Sequence, residues 1–180
     1  LATFRDPDGV WSKYRIEDVA TPEAFAQHPK QVLDFYNLRR QQMNDTLVVP
    51  NAAHKALAKL ESFWLGEVLL VTQNIDNLHE RGGTANLIHM HGELNKSRCG
   101  NCDNLVSNEG NLTTDMVCKK CGLKGGIRPH VVWFGEMPLF MDEIITFLDR
   151  SRLFLSIGTS GNVYPASGFV QRARSVGAQT

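Results

Sequence analysis

Residues 71–94 read VTQNIDNLHERGGTANLIHMHGEL, and these 24 positions hold three histidines and a Gly-Gly pair. Gln73, Asn74 and Asp76 stand directly behind an apolar run, at the mouth of what reads as a buried strand. Core packing does not ask for such a set. A metal, a catalytic base or a polar ligand would. A metallohydrolase built on His79, His89 and His91 lacks the HExxH pattern that puts two ligands and a base on one helix face. We expect His89 and His91 to point apart, with His89 as packing and His79 as part of the connecting segment.

The second chemical signal is CGNC and CKKC, which place Cys99, Cys102, Cys118 and Cys121 in two pairs with fifteen residues between them. A CxxC turn lets two sulfurs reach one ion, and two such turns complete a closed tetrahedral zinc site. Disulfides are the alternative in an oxidising compartment, and a redox CxxC would sit singly between a strand and a helix. The spacing predicts one structural Zn2+. Residues 95–126 carry five basic and three acidic side chains and no Phe, Tyr or Trp. A single-strand binder needs stacking platforms, so this ribbon reads as a clip folded by its metal.

The chain of 180 residues is long enough to bury a core, and its 42% apolar content is that of a globular protein. Nineteen basic and nineteen acidic groups cancel, so no global field invites nucleic acid or an anionic membrane. No run approaches the ~20 apolar residues of a membrane helix. We expect a cytoplasmic monomer. The opening LATFRD lacks a Met and the closing VGAQT follows a helical pattern, so we expect further chain at both ends.

Positioning elements alternate. VLLVT (68–72) and LFLSI (153–157) are continuous apolar runs, as in strands buried on two faces. Helical patterns occupy 21–27 (Thr21 as cap, Pro22 at the first position), 31–43, 51–64 (Asn51 as cap), 138–150 and 164–174. This alternation predicts an α/β fold: a Rossmann-like parallel sheet, incomplete here, with a small domain of helical module plus zinc ribbon. The expected division is 1–94 with 127–180 as the dinucleotide part, a helical module at about 12–50, and 95–126 as the ribbon insertion. Ligands of open α/β sheets bind beyond the carboxyl ends of strands. Besides Gln73, Asn74 and Asp76, such an end offers Gly158, Thr159 and Ser160, groups suited to a phosphate or ribose. Alone, a Gly/Ser turn of this kind is weak evidence.

TQNIDNLH, HMHGE, the two CxxC pairs, RPHVVWFGE and IGTSGNVYPA stand in the order and spacing of the sirtuins, NAD-dependent protein deacylases. The chain resembles that family throughout, most of all its bacterial CobB type. The resemblance implies that NAD and acyl-lysine meet in a cleft, releasing nicotinamide and O-acyl-ADP-ribose. It implies that His91 is the general base, and that Gln73, Asn74, Ile75 and Asp76 surround the nicotinamide and its ribose. Phe4 and Arg5 match a loop over NAD, Gly158, Thr159 and Ser160 match dinucleotide contacts, and the Val132 carbonyl matches an acceptor for the acyl-lysine amide. Tyr36 and Arg39, three apart in FYNLRR, would read alone as a solvated helix face. They match the Tyr-x-x-Arg of sirtuins that remove succinyl and malonyl groups, so desuccinylation and demalonylation are expected beside deacetylation. Ala2 stands where the family often has Pro. The competing expectation is a zinc-ribbon module that binds acyl-lysine or a protein partner without turnover.

Overall fold

The computed structural model describes residues 14–180 except 109, 160 and 162. Phe4, Arg5 and Ser160 therefore lie outside the described residues. The rest fall into two compact units, one ending at Met137 and the other Pro138–Thr180.

The first unit opens with helices α1 (Ile16–Val19), α2 (Pro22–Gln27) and α3 (Pro29–Met43). Thr21 Oγ accepts the Ala24 N–H at 3.1 Å, and Pro22 and Pro29 start α2 and α3 where an N–H would be unused anyway. One face of α3 sends Val32, Phe35, Tyr36 and Met43 into a core with Ile75, Leu94, Val131 and Trp133. Leu33 leaves that cluster for another, with Cys99, Leu112, Cys118 and Ile127. One helix thus backs both the segment carrying Ile75 and the ribbon. Helix α4 (Ala52–Phe63) begins at a reciprocal cap, Asn51 Oδ1 accepting from the Ala53 and His54 N–H groups and His54 Nδ1 from the Asn51 N–H.

Strands β1 (Leu70–Thr72) and β2 (Leu87–His89) pair in parallel, Thr72 opposite His89, and helix α5 (Leu78–Gly82) makes the crossover between them. A parallel pair requires such a crossover. Beside it lies an antiparallel sheet ordered β4 (Leu105–Ser107), β3 (Gly92–Cys99), β5 (Ile127–Val131). The α/β class expected from the alternation is present, with a parallel sheet, a small second sheet and flanking helices.

The chain leaves β5 through a clamp. Arg128 donates to both carboxylate oxygens of Glu136, at 2.6 and 2.9 Å, and Arg98 of β3 adds a third bond at 3.0 Å. The same carboxylate accepts the Trp133 N–H at 2.8 Å, while the Arg128 guanidinium stacks 3.3 Å from the Trp133 ring. RPHVVWFGE is therefore held by charge as well as by packing.

The second unit holds α6 (Met141–Asp149), a 3-10 turn at Ala166–Gly168 and α7 (Phe169–Ser175), with Arg172 donating two 2.6 Å bonds to Asp149. The expected strand at 153–157 is not formed. Leu153 makes one bridge with Gln179, and Leu155 and Ile157 stay exposed. An apolar run becomes a strand only where a neighbour supplies a ladder of hydrogen bonds, and a single bridge is no ladder. Among the described residues, no helix is long and apolar enough to cross a membrane.

Removing one partner from a buried ion pair strands the other charge. Glu136→Ala is expected to lower the unfolding free energy by about 3 kcal/mol, measured by urea denaturation, with Arg128→Ala similar and the double variant far from additive.

Candidate functional site

The rim begins where β1 stops. Thr72 Oγ accepts the Asn74 N–H at 3.0 Å and Asp76 Oδ1 accepts the Leu78 N–H at 3.0 Å, so two short side chains shape the turn into α5. Ile75 is buried, and its carbonyl accepts the Leu94 N–H at 2.8 Å. Anchoring Ile75 inward leaves Asn74 exposed and Gln73 and Asp76 half-buried, which is how a polar rim is presented to a ligand.

His91 follows β2 in a tight turn. Its Nδ1 lies 3.1 Å from the Gln73 carbonyl oxygen. A carbonyl only accepts, so Nδ1 carries the proton and the neutral ring keeps a lone pair on Nε2. Burial lowers the pKa of this histidine, against the raising effect of the Gln73 bond, so it is held as a base. The His91 carbonyl accepts the Val132 N–H at 2.9 Å. Gln73, His91 and Val132 are thereby brought together from three segments. Gly92 has φ +81°, and a Cβ there would collide with the His130 carbonyl oxygen, so the residue after His91 has to be glycine.

His89 corrects the expectation of mere packing. Because the chain turns after β2, His89 at its end reaches the same loop as His91, its Nδ1 3.1 Å from the Asn74 carbonyl oxygen. Its Nε2 meets Glu80 Oε1 at 2.9 Å. Burial of the ring pulls its pKa down, but the Glu80 and Asn74 bonds outweigh this and the net shift is upward. Glu80, nine residues earlier on α5, carried no signal.

Tyr36 and Arg39 occupy neighbouring turns of α3, and the structure treats them differently. Tyr36 is buried, its Oη accepts the Trp133 indole N–H at 2.9 Å, and burial pushes its phenol above the ordinary range. Arg39 is half-buried, 5.3 Å from the Phe35 ring centroid and 5.8 Å from that of Tyr14, and its Nε is enclosed with no acceptor among the described residues. Gly158 and Thr159 belong to the second unit, where both are exposed. A cavity of about 660 Å3 lies along α2 and α3, lined by Tyr14, His28, Lys30 and Phe35 among others. It holds none of the expected site residues, and its lining offers no convergent chemistry.

The four cysteines converge. Cys99 and Cys121 sulfurs are 3.6 Å apart, as are those of Cys102 and Cys118, and all four lie within 4.8 Å of one another. Zinc–sulfur bonds of about 2.3 Å place tetrahedral sulfurs about 3.8 Å apart, so the set fits one zinc ion with a ligand from each corner. The 3.6 Å contacts run between the two CxxC turns, as a shared ion requires and a single-turn redox pair does not.

Comparison with known proteins gives a consistent result. The Sir2 family model matches residues 1–165. An NAD-dependent protein deacylase of Bdellovibrio bacteriovorus is 57% identical over 173 residues, 96% of this chain and 74% of that protein. One from Vibrio vulnificus is 56% identical over all 180 residues, 74% of its own length. Among solved structures, a Sir2 homologue in complex with ADP-ribose superposes with a TM-score of 0.89 at 38% identity, covering 99% of this chain and 71% of that one. A Sir2 homologue bound to NAD gives 0.85 at 39% identity, covering 98% and 68%.

One zinc per chain is expected by elemental analysis. Cys118→Ser should lose it and expose the residues packed around Leu33, read as a drop in the thermal midpoint that added zinc does not reverse.

Proposed function

We infer that this chain, which belongs to the Sir2 family, is an NAD-dependent protein-lysine deacylase with His91 as its general base. The observation that carries the reading is the His91–Gln73 bond. It fixes the tautomer, so that the neutral ring turns an Nε2 unpartnered among the described residues toward the polar rim of β1, and burial, by lowering the pKa, favours that neutral form at working pH.

Bound NAD supplies nicotinamide as leaving group and a ribose carbon as the site where the acyl oxygen attaches. On this reading His91 Nε2 takes the proton from a ribose hydroxyl, which then attacks the bound acyl group. Asn74 and Asp76 orient the ribose and nicotinamide, with Gln73 beside them and Ile75 as their buried footing. Phe4 and Arg5 cover the dinucleotide, and Gly158, Thr159 and Ser160 contact it. We assign the dinucleotide part to 1–94 with 127–180 and the ribbon to 95–126.

The Val132 carbonyl is the proposed acceptor for the acyl-lysine amide, the peptide lying as an added strand along 132–136. Residue Arg39 is the proposed partner of a succinyl or malonyl carboxylate. Its enclosed Nε without an acceptor among the described residues, on a guanidinium stacked against aromatic rings, supports this: such a group gains a charge-assisted bond from an entering anion. Tyr36 Oη, already accepting from Trp133, retains its own proton to donate. A cytoplasmic monomer remains our reading, without nucleic-acid partners, and the balanced charge supports the last point alone.

Incubation with NAD and succinyl-lysine or acetyl-lysine peptides should release nicotinamide, and His91→Ala should reduce the rate by about 100-fold or more. Peptide and NAD binding without nicotinamide release would leave a binding module instead. Arg39→Met should raise KM for succinyl-peptide by about tenfold while leaving acetyl-peptide nearly unchanged. The acid limb of kcat/KM is expected below pH 6.5, the ordinary value for histidine, because His91 is active unprotonated and its pKa is lowered.

A further inference from the structure

Two histidines one residue apart grip consecutive carbonyls of the same loop, His91 that of Gln73 and His89 that of Asn74. Their other nitrogens differ. His91 Nε2 has no hydrogen-bonding partner among the described residues, whereas His89 Nε2 faces a carboxylate oxygen of Glu80. A neutral imidazole carries one N–H and can satisfy only one of two acceptors. His89 lies between two acceptors, a carbonyl and a carboxylate, with 6% of its surface exposed. Burial pushes the Glu80 carboxyl up, but its His89 bond prevails and holds it below the usual carboxylate range. With that carboxylate ionised, both bonds form together only when both ring nitrogens carry protons.

We propose that His89 is a positioning residue for the reaction: held as an imidazolium between Glu80 on α5 and the Asn74 carbonyl, it keeps the Gln73–Asp76 rim in register for the nicotinamide ribose. The proposal deepens the function assigned above and rests on it. The charged and titratable groups around the ring agree with it. Glu80 of α5 and Glu93 of β3 both favour the charged ring, Glu93 being itself paired with Lys96 at 2.6 Å. His79 of α5 opposes it. With burial lowering the one pKa and ion pairing raising the other, the same residue type serves two states: His91 works unprotonated, His89 protonated. As pH rises through the raised His89 pKa, one of its two bonds is lost and the Asn74 carbonyl or Glu80 is released. As pH falls through the lowered His91 pKa, the base is lost.

Nitrogen-15 shifts of the His89 ring in the intact zinc-bound protein read the protonation state without any activity assay. A ring still mainly doubly protonated at about pH 6.5, the ordinary midpoint of histidine, is expected. A ring mainly neutral at about pH 6.5 would overturn the proposal. In nicotinamide release, KM for NAD should rise as pH passes the His89 pKa, and in Glu80→Gln this rise should begin at lower pH. His89→Gln should raise KM for NAD about tenfold at pH 7, with kcat within about twofold, and abolish the alkaline dependence. Identical KM profiles in wild type and Glu80→Gln would overturn it, and that exposed substitution leaves the fold intact even if His89→Gln does not. A second metal equivalent, lost in Glu80→Gln, would also overturn it, because Glu80, His89 and Glu93 place ligand atoms within 4.8 Å of one another. Failure of wild type to release any nicotinamide would sink the deacylase reading, and the ring protonation measurement would then decide the state of His89 independently.

Discussion

The carboxylate of Glu136 is the point on which the first unit closes. Arg98 from β3, Arg128 from β5 and the Trp133 N–H all converge on it. Two half-buried or buried guanidiniums would be costly alone, and one carboxylate with well-aligned donors offsets that cost. Burial pushes the Glu136 carboxyl up, but the Arg128 bonds prevail and hold it below the usual range. The consequence reaches beyond the pair. It fixes the exit of β5, and with it Trp133, which bonds Tyr36 on α3, Phe134, whose N–H bonds the Ala20 carbonyl, and Val132, which bonds the His91 carbonyl. Helical module, ribbon sheet and His91 are tied through one short segment.

The histidine pair illustrates how environment assigns charge states to one residue type. His91 meets a carbonyl and burial, so its charged form is penalised. His89, two residues away, meets a carbonyl and a carboxylate, so its charged form is favoured. The divergence comes from Glu80, delivered by α5 to the end of β2. Gly92 completes the arrangement: the positive φ and the approach of the His130 carbonyl admit no side chain, and the turn places His91 between the β1 rim and β5.

Much of this was legible in the chain. Helix starts were written locally, because a cap is a contact between residues two or three apart: Thr21 with Ala24, and Asn51 with Ala53 and His54. The ring of His54 closes that second cap in return, accepting the Asn51 N–H. The rim and the cysteine cluster could also be read, since a short motif concentrates their side chains. The strand at 153–157 could not. Its apolar run is what a strand buried on both faces would show, but strand formation depends on neighbours, and the described residues supply Gln179 alone. The α4 pattern of apolar residues likewise predicts a buried stripe, and none of its residues is buried.

By itself, the sequence determined the cysteine cluster, the caps and the polar rim. Each rests on residue type and short spacing, which the backbone's fixed geometry converts directly into proximity. His91 as the base candidate came from the resemblance to the sirtuins and not from spacing. Only the tertiary structure decided that His89 pairs with Glu80, that Tyr36 lies in the core bonded to Trp133 while the Arg39 Nε is enclosed beside aromatic rings, and that Glu136 gathers two arginines. Those contacts join residues as far apart as 97 positions. Their chemistry depends on burial and on what lies opposite, which a linear pattern does not contain.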